Sequence, residues 1–142
     1  MLRQVYLDHA ATTYVDPLVV KKMMPFLDQE FGNPSALYSL GRRSLVAISE
    51  ARKNVAKILA CSPGEIIFTS GGTESDNLAI LGVARANKKN GNHIITLKIE
   101  HHAVLYSCQQ LEREGFEVTY LDVDSEGLIT PEAVLKAIKP ET

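Results

Sequence analysis

Glu65-Ile66-Ile67-Phe68-Thr69-Ser70-Gly71-Gly72-Thr73-Glu74-Ser75-Asp76-Asn77 decides how this chain is read. Ile66–Thr69 is a short run of apolar and β-branched residues, the pattern of a buried strand. It breaks at Gly71-Gly72, and a helix is expected to open at Thr73. The first N–H groups of a helix have no acceptor within it, and the helix dipole adds partial positive charge there. Such a start can seat a phosphate. Gly71 and Gly72 let a ligand approach the backbone, and Thr73 adds a hydroxyl donor. Taken alone, the same residues also describe an ordinary capped strand–helix turn.

Outward from this stretch, strands and helices alternate. His93–Ile99 reads as a strand, His102–Arg113 as a helix with Val104, Cys108 and Leu111 on one side, and Phe116–Val123 as a second strand after Gly115. The helix after Gly72 is expected to turn Leu78, Leu81 and Ala84 or Arg85 inward. Thr130-Pro131 opens a further helix by cap and proline, and Pro140 stops it. This rhythm predicts an α/β fold with a mostly parallel sheet flanked by helices. It also calls for another strand beyond Thr142, so the chain reads as the first part of a longer protein.

Residues before 41 do not share the rhythm. Asp16-Pro17 starts a helix with Val20, Met23, Met24 and Leu27 on one face, and Gly32-Asn33-Pro34-Ser35 is a turn-rich break. A long helix follows Gly41, with Leu45, Ile48, Val55, Ile58 and Leu59 at helical spacing, ended by Ser62-Pro63-Gly64. Residues 1–40 are therefore expected to form a separate arm, and 41–142 the alternating domain.

The net charge of −2 gives no reason to expect nucleic acid or an anionic membrane as partner. No apolar run approaches a membrane span. Cys61 and Cys108 are the two cysteines, with no CxxC and no histidine at zinc-ligand spacing, so neither a disulfide framework nor a metal site is indicated. A reduced, cytoplasmic setting is the expectation. Cys108 falls on an apolar helix stripe and Cys61 at a helix end, and neither is assigned a reaction. Most lysines fall on solvent-facing positions, and Lys98 alternates with Leu97 and Ile99 as a strand residue that reaches an edge or pairs with an acid.

Ligands of open parallel sheets collect at the carboxyl ends of the strands. Two loops qualify: Ser70–Thr73, and Glu100-His101-His102. His101 could stack on a planar aromatic ligand or carry a proton; it could equally be a helix cap. His102 is expected to point elsewhere, His93 to be structural, and His9 is open to either reading.

Four segments in this order, Tyr6–Thr13, Phe31–Ser35, Ile67–Asn77 and Glu100–Val104, resemble the N-terminal part of cysteine desulfurases, which belong to the class V aminotransferase group of pyridoxal-phosphate enzymes. The resemblance implies part of the large domain of fold-type-I pyridoxal-phosphate enzymes, preceded by an arm or small-domain segment. It implies a homodimer that takes sulfur from L-cysteine, leaves alanine, and passes a persulfide to an iron–sulfur scaffold or another sulfur acceptor. By this resemblance Gly72 and Thr73 hold the cofactor phosphate, and His101 stacks on the pyridine ring and takes part in proton transfer. The lysine that bonds the cofactor and the sulfur-accepting cysteine come later in the family and have no counterpart here. Tyr38 stands where many members have histidine. The chain as it stands could also be a non-catalytic remnant serving as a binding or dimerisation module, or part of another class V enzyme, such as a selenocysteine lyase or an aminotransferase.

Overall fold

The computed structural model describes residues 4–142, so the first three residues of the expected arm lie outside it. Two compact units divide the chain, Met1–Ile67 and Phe68–Thr142. The first is helical: α1 (Pro17–Met23), α2 (Pro25–Asp28) and α3 (Ser39–Ile58), followed by a 3-10 turn over Pro63–Glu65. The second is α/β, as expected: α4 (Gly72–Asn87), β1 (His93–Leu97), α5 (His102–Arg113), β2 (Glu117–Leu121) and α6 (Pro131–Ala137).

In the first unit, Asp16 caps α1 by accepting the Leu18 N–H at 2.7 Å, with Pro17 at the first helical position. Proline recurs at 25, where its missing N–H breaks the ladder and α2 begins. The Asn33 side chain accepts the Ser35 N–H at 2.9 Å and makes the turn that leads into α3. That helix starts at Ser39 and includes Gly41, which sequence reasoning left in the preceding loop. Its buried positions are Gly41, Ser44 and Ala56. Of the expected stripe, Ile48 and Val55 are half-buried, while Leu45 is 49% exposed, Ile58 82% and Leu59 64%. At Gly41 the 32–36 turn lies directly against the helix, as the close approach of Asn33 and Ala36 shows. Ser44 Oγ donates to Glu30 O at 3.2 Å and Arg43 pairs with Glu30 at 2.9 Å, tying α3 to the chain that follows α2.

The end of α3 differs from expectation too. Before Ser62-Pro63 is reached, Cys61 N–H donates to Ala56 O at 3.0 Å and Ala60 N–H to Lys57 O at 3.4 Å, the paired bonds of a Schellman motif. Its left-handed position holds Ala60, with φ 52°, where glycine is the usual occupant. A left-handed L-residue costs roughly 1–2 kcal/mol. Ala60→Gly is therefore expected to stabilise the protein by up to about 1 kcal/mol, after glycine's larger unfolded-state entropy offsets part of the gain. Denaturant unfolding of the two proteins checks this.

In the second unit β1 and β2 pair in parallel, from His93 opposite Glu117 to Leu97 opposite Leu121. The crossover helix α5 buries Ala103, Ser107, Cys108 and Leu111, one face at helical spacing, and Phe116 completes the core beneath the sheet. His93 is 5% exposed, its ring nitrogens each 2.7 Å from a threonine hydroxyl, Thr142 and Thr119. It is structural, as expected. Both strands are shorter than expected because the chain turns away at Lys98 and Asp122, whose side chains close an ion pair of 2.7 Å beyond the last strand residues.

The strand expected over Ile66–Thr69 does not form: these residues belong to no strand, and β1 and β2 make a two-stranded sheet among the described residues. A strand is defined by its ladder, and the ladder of that sheet runs between β1 and β2. Ile67 and Phe68 are 69% and 48% exposed. The face expected for α4 is partly covered, with Leu81 and Ala84 half-buried, Leu78 49% exposed and no residue of the helix fully buried. No helix among the described residues is long and apolar enough to cross a membrane.

Candidate functional site

The start of α4 is built by hydroxyls and one carboxylate. The chain arrives extended at Gly71 and turns helical at Gly72. Thr69 Oγ1 lies 2.6 Å from Ser75 Oγ, spanning the glycines from outside. Glu74 reaches back and accepts from both Ser70 Oγ and Ser70 N–H at 2.6 Å. These two hydrogen bonds, the hydroxyl's first, hold the Glu74 carboxyl below its usual range. Asn77 Nδ2 donates to Thr73 O at 2.8 Å, within the first turns.

The first ladder bond runs from Ser75 N–H to Gly71 O at 3.1 Å. Ahead of it, the N–H groups of Thr73 and Glu74 have no acceptor among the described residues, and neither does the exposed Thr73 hydroxyl. A Cβ placed on Gly71 or Gly72 would meet nothing within 4 Å. Internal packing therefore does not demand glycine at either position, and the space beside the backbone is open to a ligand. Two amide donors, a hydroxyl and a dipole end suit a phosphate group. The Glu74 carboxylate opposes it, but its exposure lets water screen the charge.

His101 is the N-cap of α5, its Nδ1 accepting the Ala103 N–H at 3.1 Å. The cap reading of this residue thus holds in the structure, and it leaves Nε2 available. His102 follows as the first helical residue and lies against Tyr106, ring centroids 5.4 Å apart, on its own helix.

Packing of α4 on α5 brings the two helix starts to one end. Their far ends are clamped: Arg85 donates to the Glu114 carboxylate through Nη2 at 2.6 Å and Nε at 2.9 Å, and Lys88 Nζ donates to Glu114 O at 2.6 Å. Arg85 comes thirteen residues after Gly72, and Glu114 thirteen after His101. Each start therefore stands about 20 Å back from the clamp along its own helix. The amides at Gly72–Thr73 and the imidazole of His101 share the end that lies at the carboxyl side of β1.

The Arg85 guanidinium first, and Gln110 after it, push the Glu114 carboxyl down to about 2. A depressed folded value means stability present above the unfolded carboxylate range, near 4.3, and lost as pH falls toward about 2. A pH titration of Glu114 by NMR is expected to show its midpoint moving up toward the ordinary value in Arg85→Gln. An unchanged midpoint would refute the clamp.

Sequence reasoning missed Ser70 and Glu74, the pair that fixes this helix start. Their signal was a serine and a glutamate flanking two glycines, one residue longer than the usual capping box. The cysteines offer no nucleophile here: burial pushes the Cys108 thiol up, and Cys61 is half-buried at the end of α3. No group of three or more metal-ligating side chains occurs among the described residues.

The family described as aminotransferase class-V matches residues 5–142. The chain is 55% identical over its whole length to cysteine desulfurase IscS of Clostridium botulinum and 50% identical over 99% of its length to a putative cysteine desulfurase, IscS 1, of Bacillus subtilis. It spans 36% and 37% of those proteins, little more than a third. Among solved structures, a NifS-like protein superposes with a TM-score of 0.91 at 40% identity, covering 98% of this chain and 38% of that one. SspA in complex with cysteine superposes at 0.88 with 43% identity, covering 96% and 39%.

Proposed function

The chain belongs to the class V aminotransferase family and is homologous to the N-terminal part of cysteine desulfurases, and from that premise we propose that it supplies the cofactor-phosphate seat and the ring-stacking histidine of a pyridoxal-phosphate-dependent cysteine desulfurase. One observation carries the reading: the open helix start at Gly72–Thr73 and the capped imidazole of His101 stand at the same end of two packed helices. Thr73 Oγ and the free amides of α4 would hold the phosphate, and His101 would lie against the pyridine ring. Pyridoxal phosphate, when bound, supplies an electron sink for bond breaking at the substrate's carbon atoms. The substrate in this reading is L-cysteine, the complete protein is a homodimer in the cytoplasm, and the sulfur passes to an iron–sulfur scaffold or another sulfur acceptor.

The two covalent roles fall outside these residues. A lysine that bonds the cofactor must be unprotonated often enough to attack, and a sulfur acceptor must be a reachable thiolate. Lys98 is held by Asp122, Cys108 is buried, and Cys61 has no cation paired with it among the described residues. The 142 residues by themselves are thus expected to bind pyridoxal phosphate without turning over cysteine.

Titration of pyridoxal phosphate into the protein, followed by its absorbance and by sulfide release from cysteine, tests this. Saturable binding weakened by substitution at Thr73, with no sulfide above that produced by free cofactor, is the expected result. Turnover abolished by replacing one lysine would overturn the division of roles, and absence of saturable binding would overturn the phosphate seat.

A further inference from the structure

We infer that the helix cap made by His101 fixes which of its nitrogens carries the proton, and so restricts the ring to donating a hydrogen bond from Nε2. Nδ1 accepts the Ala103 N–H at 3.1 Å. A ring nitrogen that accepts a hydrogen bond carries no proton of its own, so the uncharged imidazole has its proton on Nε2. Nε2 has no hydrogen-bond partner among the described residues. The neighbouring ring, His102, meets it edge-on with centroids 6.1 Å apart and makes no hydrogen bond to it.

Ala103 is 5% exposed with the ring in place, and the imidazole is the acceptor of its N–H among the described residues. A nitrogen that already holds a proton cannot take another. At Nε2 the uncharged ring is therefore a donor toward an oxygen acceptor, such as a carboxylate, phenolate or phosphate oxygen, and it is not a base. A proton entering the ring must go to Nδ1, where it would face the Ala103 N–H, donor against donor. Capping α5 and taking up a proton exclude one another.

This deepens the proposed site and rests on it for the identity of the ligand. While it caps the helix, His101 binds and orients, and its Nε2–H projects in the ring plane. Joining a proton transfer requires the ring to turn off the helix start.

The tautomer is directly measurable. In protein labelled with 15N-histidine, long-range proton–nitrogen correlations distinguish the two neutral forms, and the four histidines are assigned by single substitutions. His101 is expected to show one form, protonated at Nε2, with Nδ1 shifted as a hydrogen-bond acceptor. A proton on Nδ1, or an averaged signal from rapid exchange between forms, would overturn the inference. His101→Asn keeps an acceptor near the Nδ1 position and His101→Gln does not, so exchange of the Ala103 amide should be roughly ten-fold faster in the glutamine protein. Equal rates would overturn the cap.

Added pyridoxal phosphate is expected to move the Nε2–H resonance while Nδ1 stays bare; transfer of the proton to Nδ1 would count against the donor role. The amides of Thr73 and Glu74, followed in the same titration, report separately on the cofactor. If they stay unmoved the phosphate seat fails, while the tautomer result stands on its own.

Discussion

Gly41→Ala is expected to destabilise the helical unit by at least about 3 kcal/mol, the upper part of the range for overpacking. A Cβ at this position would lie 2.4 Å from Asn33 O, 2.7 Å from Ala36 O and 2.9 Å from Ala36 Cβ. The two nearest are backbone oxygens, which cannot swing aside as the end of a long side chain can. Asn33 O also accepts the Ala36 N–H at 2.9 Å, so moving it opens the turn. Working the other way, alanine in a helix interior gains about 1 kcal/mol over glycine. The clash wins. Gly82→Ala isolates the opposite sign: it lies inside α4, a Cβ there meets nothing within 4 Å, and only the propensity gain of about 0.5–1 kcal/mol remains. Thermal or denaturant unfolding of the two variants is therefore expected to move in opposite directions. A Gly41→Ala protein as stable as the parent would show that the 32–36 turn does not lie where it is described.

The second large effect is on cofactor retention. Thr73→Val removes a hydroxyl and keeps nearly the same shape, leaving the amides of α4 in place. A charge-assisted hydrogen bond is worth on the order of 1.5–3 kcal/mol, so affinity for pyridoxal phosphate should fall roughly ten- to hundred-fold. Thr73→Leu adds bulk at the same point and should lose more. Because Thr73 is exposed and its hydroxyl bonds to nothing among the described residues, neither change should lower thermal stability without cofactor by more than about 0.5 kcal/mol. Equilibrium titration against the parent protein measures the ratio, and an unchanged affinity would remove Thr73 from the seat.

What could be read from residues alone follows a physical division. Local signals were legible. Thr130-Pro131 marks the start of α6, whose N-cap Thr130 accepts the Ala133 N–H at 3.2 Å, and α5 runs over the expected residues, His102–Arg113. The helix start beside Gly71-Gly72, which falls one residue earlier than expected, and the histidine cap of α5 were legible for the same reason, since both are local patterns. Features set by distant partners were not. Ile66–Thr69 has the composition of a strand, yet a strand needs a neighbour, and composition does not supply one. Ile48, Val55 and Leu59 have helical spacing, which marks one side of α3 but not how fully each position along it is covered: Ile48 and Val55 are half-buried and Leu59 is exposed. The Glu74–Ser70 clamp was missed because its spacing departs by one residue from the usual motif.

The matched distance from the Arg85–Glu114 clamp to Gly72 and to His101 bears on which changes of length the fold can accept. Inserting or deleting one residue within α4 or α5 would shift that helix start by about 1.5 Å and rotate it by about 100° against its neighbour. The phosphate-facing amides or the imidazole would then be carried away from their shared end even if both helices stayed intact. Residues added where the chain turns at Asn90-Gly91, or in the Asp124–Leu128 turn, leave the pair in register. Changes of length in this part of the molecule are therefore expected to be accepted in its loops, and the two helices act as a matched pair of spacers.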